Sequence, residues 1–140
     1  MRVLITGANG QLGLRVAKDI EEEFKNCEII KKDIDTLDIT NAGSVLDAVL
    51  GVDFVINCAA FTNVDLCEDK KEESYRVNCT GVKNLAEACN KTGATLVHIS
   101  TDYVFNGEKG VPFVETDQIN PESEYGRGKA DGEKEAEKCK

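Results

Sequence analysis

The chain opens with MRVLITGANGQLG at residues 1–13, an apolar run that ends in three glycines, Gly7, Gly10 and Gly13. A tight turn needs only one glycine, so two more at intervals of three indicate a backbone that comes close to another group. One glycine permits the sharp turn, one lets a pyrophosphate approach, and one lets a helix pack on the sheet. The stretch therefore predicts a strand, a turn and a helix whose first N–H groups favour phosphate charge.

Further apolar runs alternate with helical patterns along the rest of the chain. Strands are predicted at residues 3–6, 28–30, 52–57 and 95–100, and helices at 11–24, from a cap at Thr40 to Leu50, at 72–91 with a stop at Gly93, and from Ser123 onward. In the first helix, Leu12, Val16, Ile20 and Phe24 recur at a four-residue spacing that keeps them on one face. Alternating strands and helices predict an α/β fold, a Rossmann-like doubly wound parallel sheet with helices on both faces.

One acidic residue after the second predicted strand bears on the choice of cofactor. Asp33 can bond the 2′-hydroxyl of a ribose, which is the role of acids at this place in dinucleotide-binding sheets. The adjacent Lys31 and Lys32 can instead contact a 2′-phosphate, and a plain solvated loop carboxylate is nearly as common. These residues leave NADPH and NADH both open.

Residues suited to acid–base chemistry follow the fourth strand and open the last helix. HISTDYVFNG (98–107) places Thr101 beyond the carboxyl end of a strand, where parallel sheets bind ligands. In YGRGK (125–129), Tyr125 and Lys129 lie four apart and share one helical face. A neighbouring ammonium and an oxidised nicotinamide both favour the phenolate, so we expect a lowered pKa for Tyr125. The Thr101 hydroxyl can bond and polarise a reacting carbonyl. Each motif alone is common by chance, whereas their combined order favours a catalytic set.

Four motifs together resemble one family over the whole chain. GANGQLG, INCAAFTNVD, STDYVFNG and YGRGK, in this order, are similar to the extended short-chain dehydrogenases/reductases, and within them to the members that act on dTDP-4-dehydro-L-rhamnose. The resemblance implies NADPH- or NADH-dependent reduction of the 4-keto group of this dTDP-sugar substrate to give dTDP-L-rhamnose, a step in nucleotide-sugar biosynthesis for cell-surface polysaccharide. It further implies that Tyr125 donates the proton as hydride reaches the carbonyl carbon.

The resemblance also implies roles for individual residues. The implied catalytic set is Thr101, Tyr125 and Lys129. Besides Gly7, Gly13 and Asp33, the implied cofactor contacts are Gly10, Gln11 and Leu12 at the pyrophosphate, Asp38 and Ile39 near the adenine, Ala60, Phe61 and Thr62 near the nicotinamide half, and Tyr125 and Lys129. The candidates for sugar-nucleotide binding are Val64, Thr101, Asp102 and Tyr103. Asn78 matches a family position to which we assign a structural role.

Composition narrows the classes of partner. The net charge of −9 opposes nonspecific binding to nucleic acid or to an anionic membrane, since both are polyanions. The six cysteines form no CxxC pair and the single histidine, His98, has no partner at ligand spacing, so no metal site is predicted. There is neither a signal-peptide pattern nor an apolar run long enough to span a membrane. A reduced cytoplasmic protein is expected.

The sequence departs from the family in three respects. Family members are about twice as long, so residues 1–140 are interpreted as an incomplete NAD(P)-binding domain, truncated before the last strands and the substrate lobe and inactive in isolation. Gly126, Gly128 and Gly132 in the last helix each cost about 1 kcal/mol relative to alanine, which predicts a marginal helix. Arg15 stands where some relatives carry an acid that helps bind magnesium at a dimer interface, so that metal is not expected, and a homodimer is left open.

Two other functions compete with a reductase. A non-catalytic NADP-binding regulatory subunit, such as the type that regulates methionine adenosyltransferase, resembles the same family. The intact set of Thr101, Tyr125 and Lys129 favours the enzyme, because a pure binding protein has no use for a tyrosine tuned by a lysine. An epimerase or dehydratase is disfavoured, since dehydratases use added acids near the STD segment.

Overall fold

The computed structural model describes residues 1–139. It contains a four-stranded parallel sheet with helices on both faces. The strands are β1 (Arg2–Thr6), β2 (Glu28–Lys32), β3 (Phe54–Asn57) and β4 (Thr95–His98), in the order β2-β1-β3-β4. The helices are α1 (Gln11–Glu23), α2 (Ala42–Val49), α3 (Val64–Asp69), α4 (Lys71–Tyr75), α5 (Gly81–Thr92) and α6 (Glu124–Ala136). The predicted α/β class and parallel sheet are confirmed.

Polar side chains set the starts of two helices. The side chain of Asn41 accepts a hydrogen bond from the Ser44 N–H at 3.1 Å and caps α2. The prediction of Thr40 as this cap is therefore wrong by one residue. The Ser123 hydroxyl accepts from the Gly126 N–H at 3.0 Å, so α6 begins where the sequence predicted it.

The predicted long helix over residues 72–91 is divided in the structure. A π-helical turn, Arg76–Thr80, lies between α4 and α5, and α3 precedes them as a helix that the sequence did not predict. The end of α5 at Gly93 is confirmed, because this glycine takes the left-handed conformation, φ 81°, that stops a helix. Such π-helical turns often mark functional positions, and this one carries Asn78.

Each face of the sheet has its own apolar cluster. Leu4 and Val55 point to the face covered by α2 and α5, with Val45 and Leu85 as their helical partners. The other face carries a smaller cluster against α1, listed as Val3, Ile5, Ala8 and Ala17 with Val16, Ile20, Cys27, Ile29, Ile56 and Cys58 around them. Helices therefore cover both faces of β1 and β3. Because the faces are covered, the carboxyl edge of the sheet is the place left for a site.

Helix α1 packs through small residues. Its buried residues are Gly13 and Ala17, whereas Leu12 is 43% and Phe24 is 55% exposed. Leu12 and Phe24, which share a face with Val16 and Ile20 by spacing, are therefore outside the buried surface. The physical reason is close approach, because a Cβ on Gly13 would lie 2.3 Å from the Gly7 carbonyl oxygen. Small residues let the start of α1 sit against the preceding loop.

The glycines of α6 have a packing role that their helix propensity does not reveal. A Cβ on Gly126 would lie 2.2 Å from the carbonyl oxygen of Tyr103, and one on Gly132 would lie 2.3 Å from that of Asn78. Side chains at either place would push α6 away from the segments beneath it. The glycines therefore let α6 lie close enough to bring Tyr125 and Lys129 to the sheet edge.

Two further features concern the described residues as a whole. All six cysteines, which fall within residues 1–139, are free thiols. None of the helices in this part of the chain is both long enough and apolar enough to cross a membrane.

Candidate active site

A cavity of about 750 Å³ opens at the carboxyl edge of the sheet, between the loops that follow β1 and β3. These two strands are neighbours from which the chain runs outward in opposite directions, and parallel sheets bind ligands at such a point. All the residues predicted to contact the cofactor line this cavity: Gly7, Gly10, Gln11, Leu12, Gly13, Asp33, Asp38, Ile39, Ala60, Phe61, Thr62, Tyr125 and Lys129. The fold thus gathers residues from distant parts of the sequence into one space.

The three loop glycines differ in how strongly the protein itself requires them. Gly7 has a φ of 64°, and its Cβ would lie 2.6 Å from the backbone nitrogen of Ala59, so two constraints act on it. At Gly13 a side chain is excluded by the close carbonyl oxygen of Gly7. A Cβ on Gly10 would approach only the Gly7 carbonyl oxygen, at 3.3 Å. Packing therefore explains Gly7 and Gly13 fully and Gly10 less strongly, because the one contact at Gly10 is close without being prohibitive.

The start of α1 suits an anion. Gly10 is its N-cap and contributes no side chain, and no acidic residue occupies the first turn. The first N–H groups of a helix lack partners within the helix, and they carry the positive end of its dipole. Gln11, Leu12 and Gly13 line the cavity at this end, so the pyrophosphate of a dinucleotide is the group that matches it.

We predict that Gly10→Val weakens NADPH binding by the full-length gene product by about tenfold or more, because the side chain blocks charge-assisted bonds to phosphate. Thermal unfolding should change little, since the backbone at Gly10 is extended, with φ −73° and ψ 165°. Titration calorimetry and circular dichroism measure the two effects. Gly13→Val is the contrasting variant and should lose stability. Equal NADPH affinity in wild type and Gly10→Val would make the loop a plain turn.

Carboxylates shape the loops around the far end of the cavity. Asp33 accepts hydrogen bonds from the backbone N–H groups of Asn9 and Ile34, both at 2.8 Å, and so ties the glycine loop to the end of β2. Asp38 accepts from the Thr40 N–H at 2.8 Å. Of the residues weighed for cofactor choice, Asp33 lines the cavity and the two lysines do not. The Lys31 amine pairs with Glu21 at 2.7 Å instead.

Asn78 holds the loop that follows β3. Its Oδ1 accepts from the Phe61 N–H at 2.9 Å, and its Nδ2 donates to the Phe61 carbonyl at 3.0 Å. Asn78 is 1% exposed, and the π-helical turn aims its side chain at this loop. These contacts agree with the structural role assigned from the sequence, because both polar atoms of one buried amide fix the backbone beside Ala60 and Thr62.

Tyr125 is buried against the segment that follows β4. Its ring lies edge-on to that of Tyr103, with centroids 5.6 Å apart. Burial raises the pKa of Tyr125, and hydrogen bonding with Thr101 acts in the opposite direction. The predicted lowering of this pKa is therefore wrong for the chain without a bound nicotinamide, where desolvation of the phenolate dominates. In this state Tyr125 is a protonated acid that lines the cavity.

Lys129 is buried at the same end of the cavity and is 3% exposed. Its amine donates to the Ile99 carbonyl at 2.5 Å and lies 3.4 Å from Nε2 of His98. Burial lowers the pKa of Lys129 to about 8, with the charge of Glu133 acting in the opposite direction. The lysine thus changes charge close to neutral pH rather than far above it.

The residues predicted for sugar-nucleotide binding do not line this cavity, although Thr101 and Tyr103 contact Tyr125, which does. Val64 begins α3, and Thr101 caps the short 3₁₀ turn Asp102–Val104 by accepting from the Tyr103 N–H at 3.3 Å. Thr101, Asp102, Tyr103 and Val64 are not among the lining residues, and their substrate role stays a prediction.

Several lining residues were absent from the predicted set. They are Ile34, Leu37, Asn57, Cys58, Ala59, Glu73, Val77, Ile99 and Ser100. The rule that ligands bind beyond parallel strands could have identified Asn57 and Ile99, which end or follow β3 and β4. Glu73 and Val77 have no such signal, because α4 and the π-helical turn reach the cavity only through tertiary packing.

The sheet order, the glycine loop and the cavity at the carboxyl edge define a dinucleotide-binding α/β domain of the Rossmann type. Residues 1–140 match the sequence model of the family described as RmlD substrate binding domain, and the chain belongs to this family.

Curated relatives and solved structures agree with this assignment. The chain is 42% identical over 135 residues to a dTDP-4-dehydrorhamnose reductase of Aggregatibacter actinomycetemcomitans, which covers 95% of this chain and 46% of the relative. A crystal structure of a dTDP-4-dehydrorhamnose reductase from Clostridium acetobutylicum matches with a TM-score of 0.95 and 46% identity, covering 99% of this chain and 50% of that one. The Bacillus anthracis reductase in complex with NADP matches with a TM-score of 0.89 and 39% identity over 99% of this chain and 49% of that one. The chain spans about half the length of the curated relatives it matches.

Proposed function

We propose that the protein carrying this chain is an NAD(P)H-dependent oxidoreductase that reduces dTDP-4-dehydro-L-rhamnose to dTDP-L-rhamnose. The observation that carries the proposal is the single cavity lined by the glycine loop at one end and by Tyr125 and Lys129 at the other. A regulatory binding protein would require the loop but not the buried tyrosine and lysine. The names of the relatives support this substrate, a dTDP-sugar.

The residues present fit a nicotinamide dinucleotide. The uncapped start of α1 at Gly10 suits the pyrophosphate, and Asp33 and Asp38, which line the cavity, would lie at the adenosine end. Ala60, Phe61 and Thr62 would flank the nicotinamide half, on the loop that Asn78 holds. NADP in the Bacillus anthracis relative supports NADPH as one cofactor. When bound, the reduced nicotinamide supplies the hydride for the 4-keto carbon.

Tyr125 would supply the proton. Its phenol O–H transfers a proton to the 4-keto oxygen, so that the carbonyl becomes a hydroxyl and the tyrosine becomes a phenolate. Burial keeps Tyr125 protonated before the reaction, and hydrogen bonding with Thr101 favours the phenolate that forms. A protonated Lys129 on the same helical face adds positive charge that stabilises this phenolate. Solvent then returns the proton to Tyr125.

Nucleotide oxidation tests this proposal in the full-length gene product. We expect NADPH to be consumed with dTDP-4-dehydro-L-rhamnose and not with dTDP-glucose, which has the same nucleotide but no keto group. Equal amounts of NADP⁺ and dTDP-L-rhamnose should form. Tight NADPH binding with no oxidation in the presence of the keto sugar would contradict the reductase proposal and support the regulatory alternative.

We also propose a division into domains and an assembly. Residues 1–140 would form the cofactor-binding part, and the rest of the sugar-nucleotide site would come from a region outside this chain. We therefore expect the isolated chain to bind NADPH without turning over substrate. A homodimer is the assembly we propose for the full-length protein, and its mass in solution tests it.

A further inference from the structure

A chain of buried polar groups leads from the sheet to Lys129. The Ala59 N–H donates to Oδ1 of Asn57 at 3.2 Å, and the Thr6 hydroxyl donates to the same oxygen at 2.6 Å. A backbone N–H can only donate, so this contact identifies which end of the Asn57 amide is the oxygen. Asn57 is 1% exposed, and because its Oδ1 is fixed by these two donors, the position of its Nδ2 is fixed as well.

That direction determines the protonation of His98. Nδ2 of Asn57 lies 3.0 Å from Nδ1 of His98. An amide NH₂ group is only a donor, so Nδ1 must accept. A neutral imidazole carries one proton, which is then placed on Nε2. The amide of Asn57 thereby selects the Nε2–H tautomer.

The Nε2–H group faces the catalytic lysine. Nε2 of His98 and Nζ of Lys129 lie 3.4 Å apart, while the Lys129 amine also donates to the Ile99 carbonyl. An ammonium group has donors only, so protonated Lys129 would meet the imidazole N–H donor to donor. An uncharged amine has a lone pair that can accept from Nε2–H. The contact is therefore favourable with neutral Lys129 and unfavourable with charged Lys129.

We propose that His98 is a positioning residue, held as the Nε2–H tautomer by Asn57, whose N–H favours the uncharged amine of Lys129. Among the other ionisable groups, Glu133 on the same helix acts on this amine, and Tyr125 and Glu73 line the same cavity. Of these, Glu133 favours the ammonium.

The protonation behaviour of both partners agrees with this geometry. Burial and then the charge of Lys129 lower the pKa of His98 to about 4, so the imidazole stays neutral at physiological pH. Protonation of His98 would require a proton on Nδ1, where the Asn57 amide already donates. The pKa of Lys129 is lowered as well, to about 8. The kinetic consequence rests on the proposed function: the lysine charge that assists Tyr125 should be lost as pH rises through about 8.

Nuclear magnetic resonance of the cofactor-free full-length gene product tests the tautomer directly. Long-range proton–nitrogen spectra distinguish the two ring nitrogens, and His98→Asn identifies the His98 signals by their loss. We expect a protonated Nε2 and an unprotonated Nδ1 between pH 6 and about 8. A proton on Nδ1 would overturn the proposal without the need for any variant to fold.

Two His98 variants separate the donor effect from burial. His98→Asn keeps an acceptor for Asn57 and removes the group that faces Lys129, while His98→Leu removes the donor and keeps the site apolar. We expect the Lys129 pKa, followed by carbon shifts of labelled lysine and assigned with Lys129→Arg, to rise by about one unit or more in both. Burial alone predicts an unchanged or lower pKa in His98→Leu, and that result would overturn the proposal.

Kinetics then distinguishes this inference from the reductase proposal. In both His98 variants the alkaline limb of kcat/KM should move to higher pH together with the Lys129 pKa. A limb that stays in place while the lysine pKa rises would remove the kinetic role of His98. A raised lysine pKa in a protein that never oxidises NADPH would contradict the proposed function and leave the tuning by His98 intact.

Discussion

Replacing Tyr125 with phenylalanine is expected to reduce kcat of the full-length gene product by a factor of ~10²–10⁴, the loss typical of a missing general acid. The change removes only the hydroxyl. The ring still packs against Tyr103, so the fold and NADPH affinity should be nearly unchanged. Steady-state reduction of dTDP-4-dehydro-L-rhamnose and calorimetric titration with NADPH measure the two quantities.

The chain offers a matched control for this substitution. Tyr75 is 45% exposed, and its hydroxyl donates to Asp131 at 3.3 Å; neither residue lines the cavity. Tyr75→Phe removes the same atom and should leave kcat close to that of wild type. If Tyr125→Phe also turned over at nearly the wild-type rate, Tyr125 would not be the proton donor.

Lys129→Met should reduce kcat by a comparable factor through a different route. Methionine keeps the length and apolar body of the side chain but removes the charge that stabilises the Tyr125 phenolate. The pKa of Tyr125, already raised by burial, should rise further. We therefore expect the limb of the pH–rate profile that depends on Tyr125 to move to higher pH. The direction follows because loss of a nearby positive charge favours the neutral phenol.

Lys134→Met is the control for the loss of a lysine from the same helix. Lys134 is exposed and pairs with Asp131 at 2.8 Å, outside the residues that line the cavity. Its substitution should alter neither kcat nor the pH profile. A Lys129→Met enzyme with an unshifted limb would show that Lys129 does not tune Tyr125, even if the rate fell.

Local signals in the sequence predicted the parts of the fold that depend on short stretches of chain. The strand–glycine–helix unit at residues 1–23 and the start of α6 after Ser123 follow from turn and cap chemistry. The buried face of α1 does not follow from local signals, because Gly13 packs closely for lack of a side chain and not through apolar surface. The π-helical turn Arg76–Thr80 was also missed, and the contact it carries, between Asn78 and the distant backbone of Phe61, has no local signal in the sequence.

The location of the site could be predicted better than its electrostatics. The carboxyl ends of parallel strands meet at one edge, so the glycine loop and Thr101 were expected on the same edge of the sheet, and the family resemblance added Ala60 and Tyr125. Burial decides the direction in which the pKa of Tyr125 shifts, and the sequence does not reveal how deeply this side chain is buried. Hence Tyr125 was predicted with a lowered pKa and has a raised one. The contact between His98 and Lys129 could not be predicted either, because it depends on how the end of β4 faces α6 in the folded chain.

We propose that this cavity places a nicotinamide against a 4-keto sugar beside Tyr125. The most direct measurement uses NADPH deuterated at both C4 positions of the nicotinamide, with the full-length gene product and dTDP-4-dehydro-L-rhamnose. We predict that the dTDP-L-rhamnose formed carries deuterium on C4 of the sugar, and that Tyr125→Phe forms the same labelled product far more slowly. Product without deuterium at this carbon, or no NADPH oxidation at all, would contradict the claim.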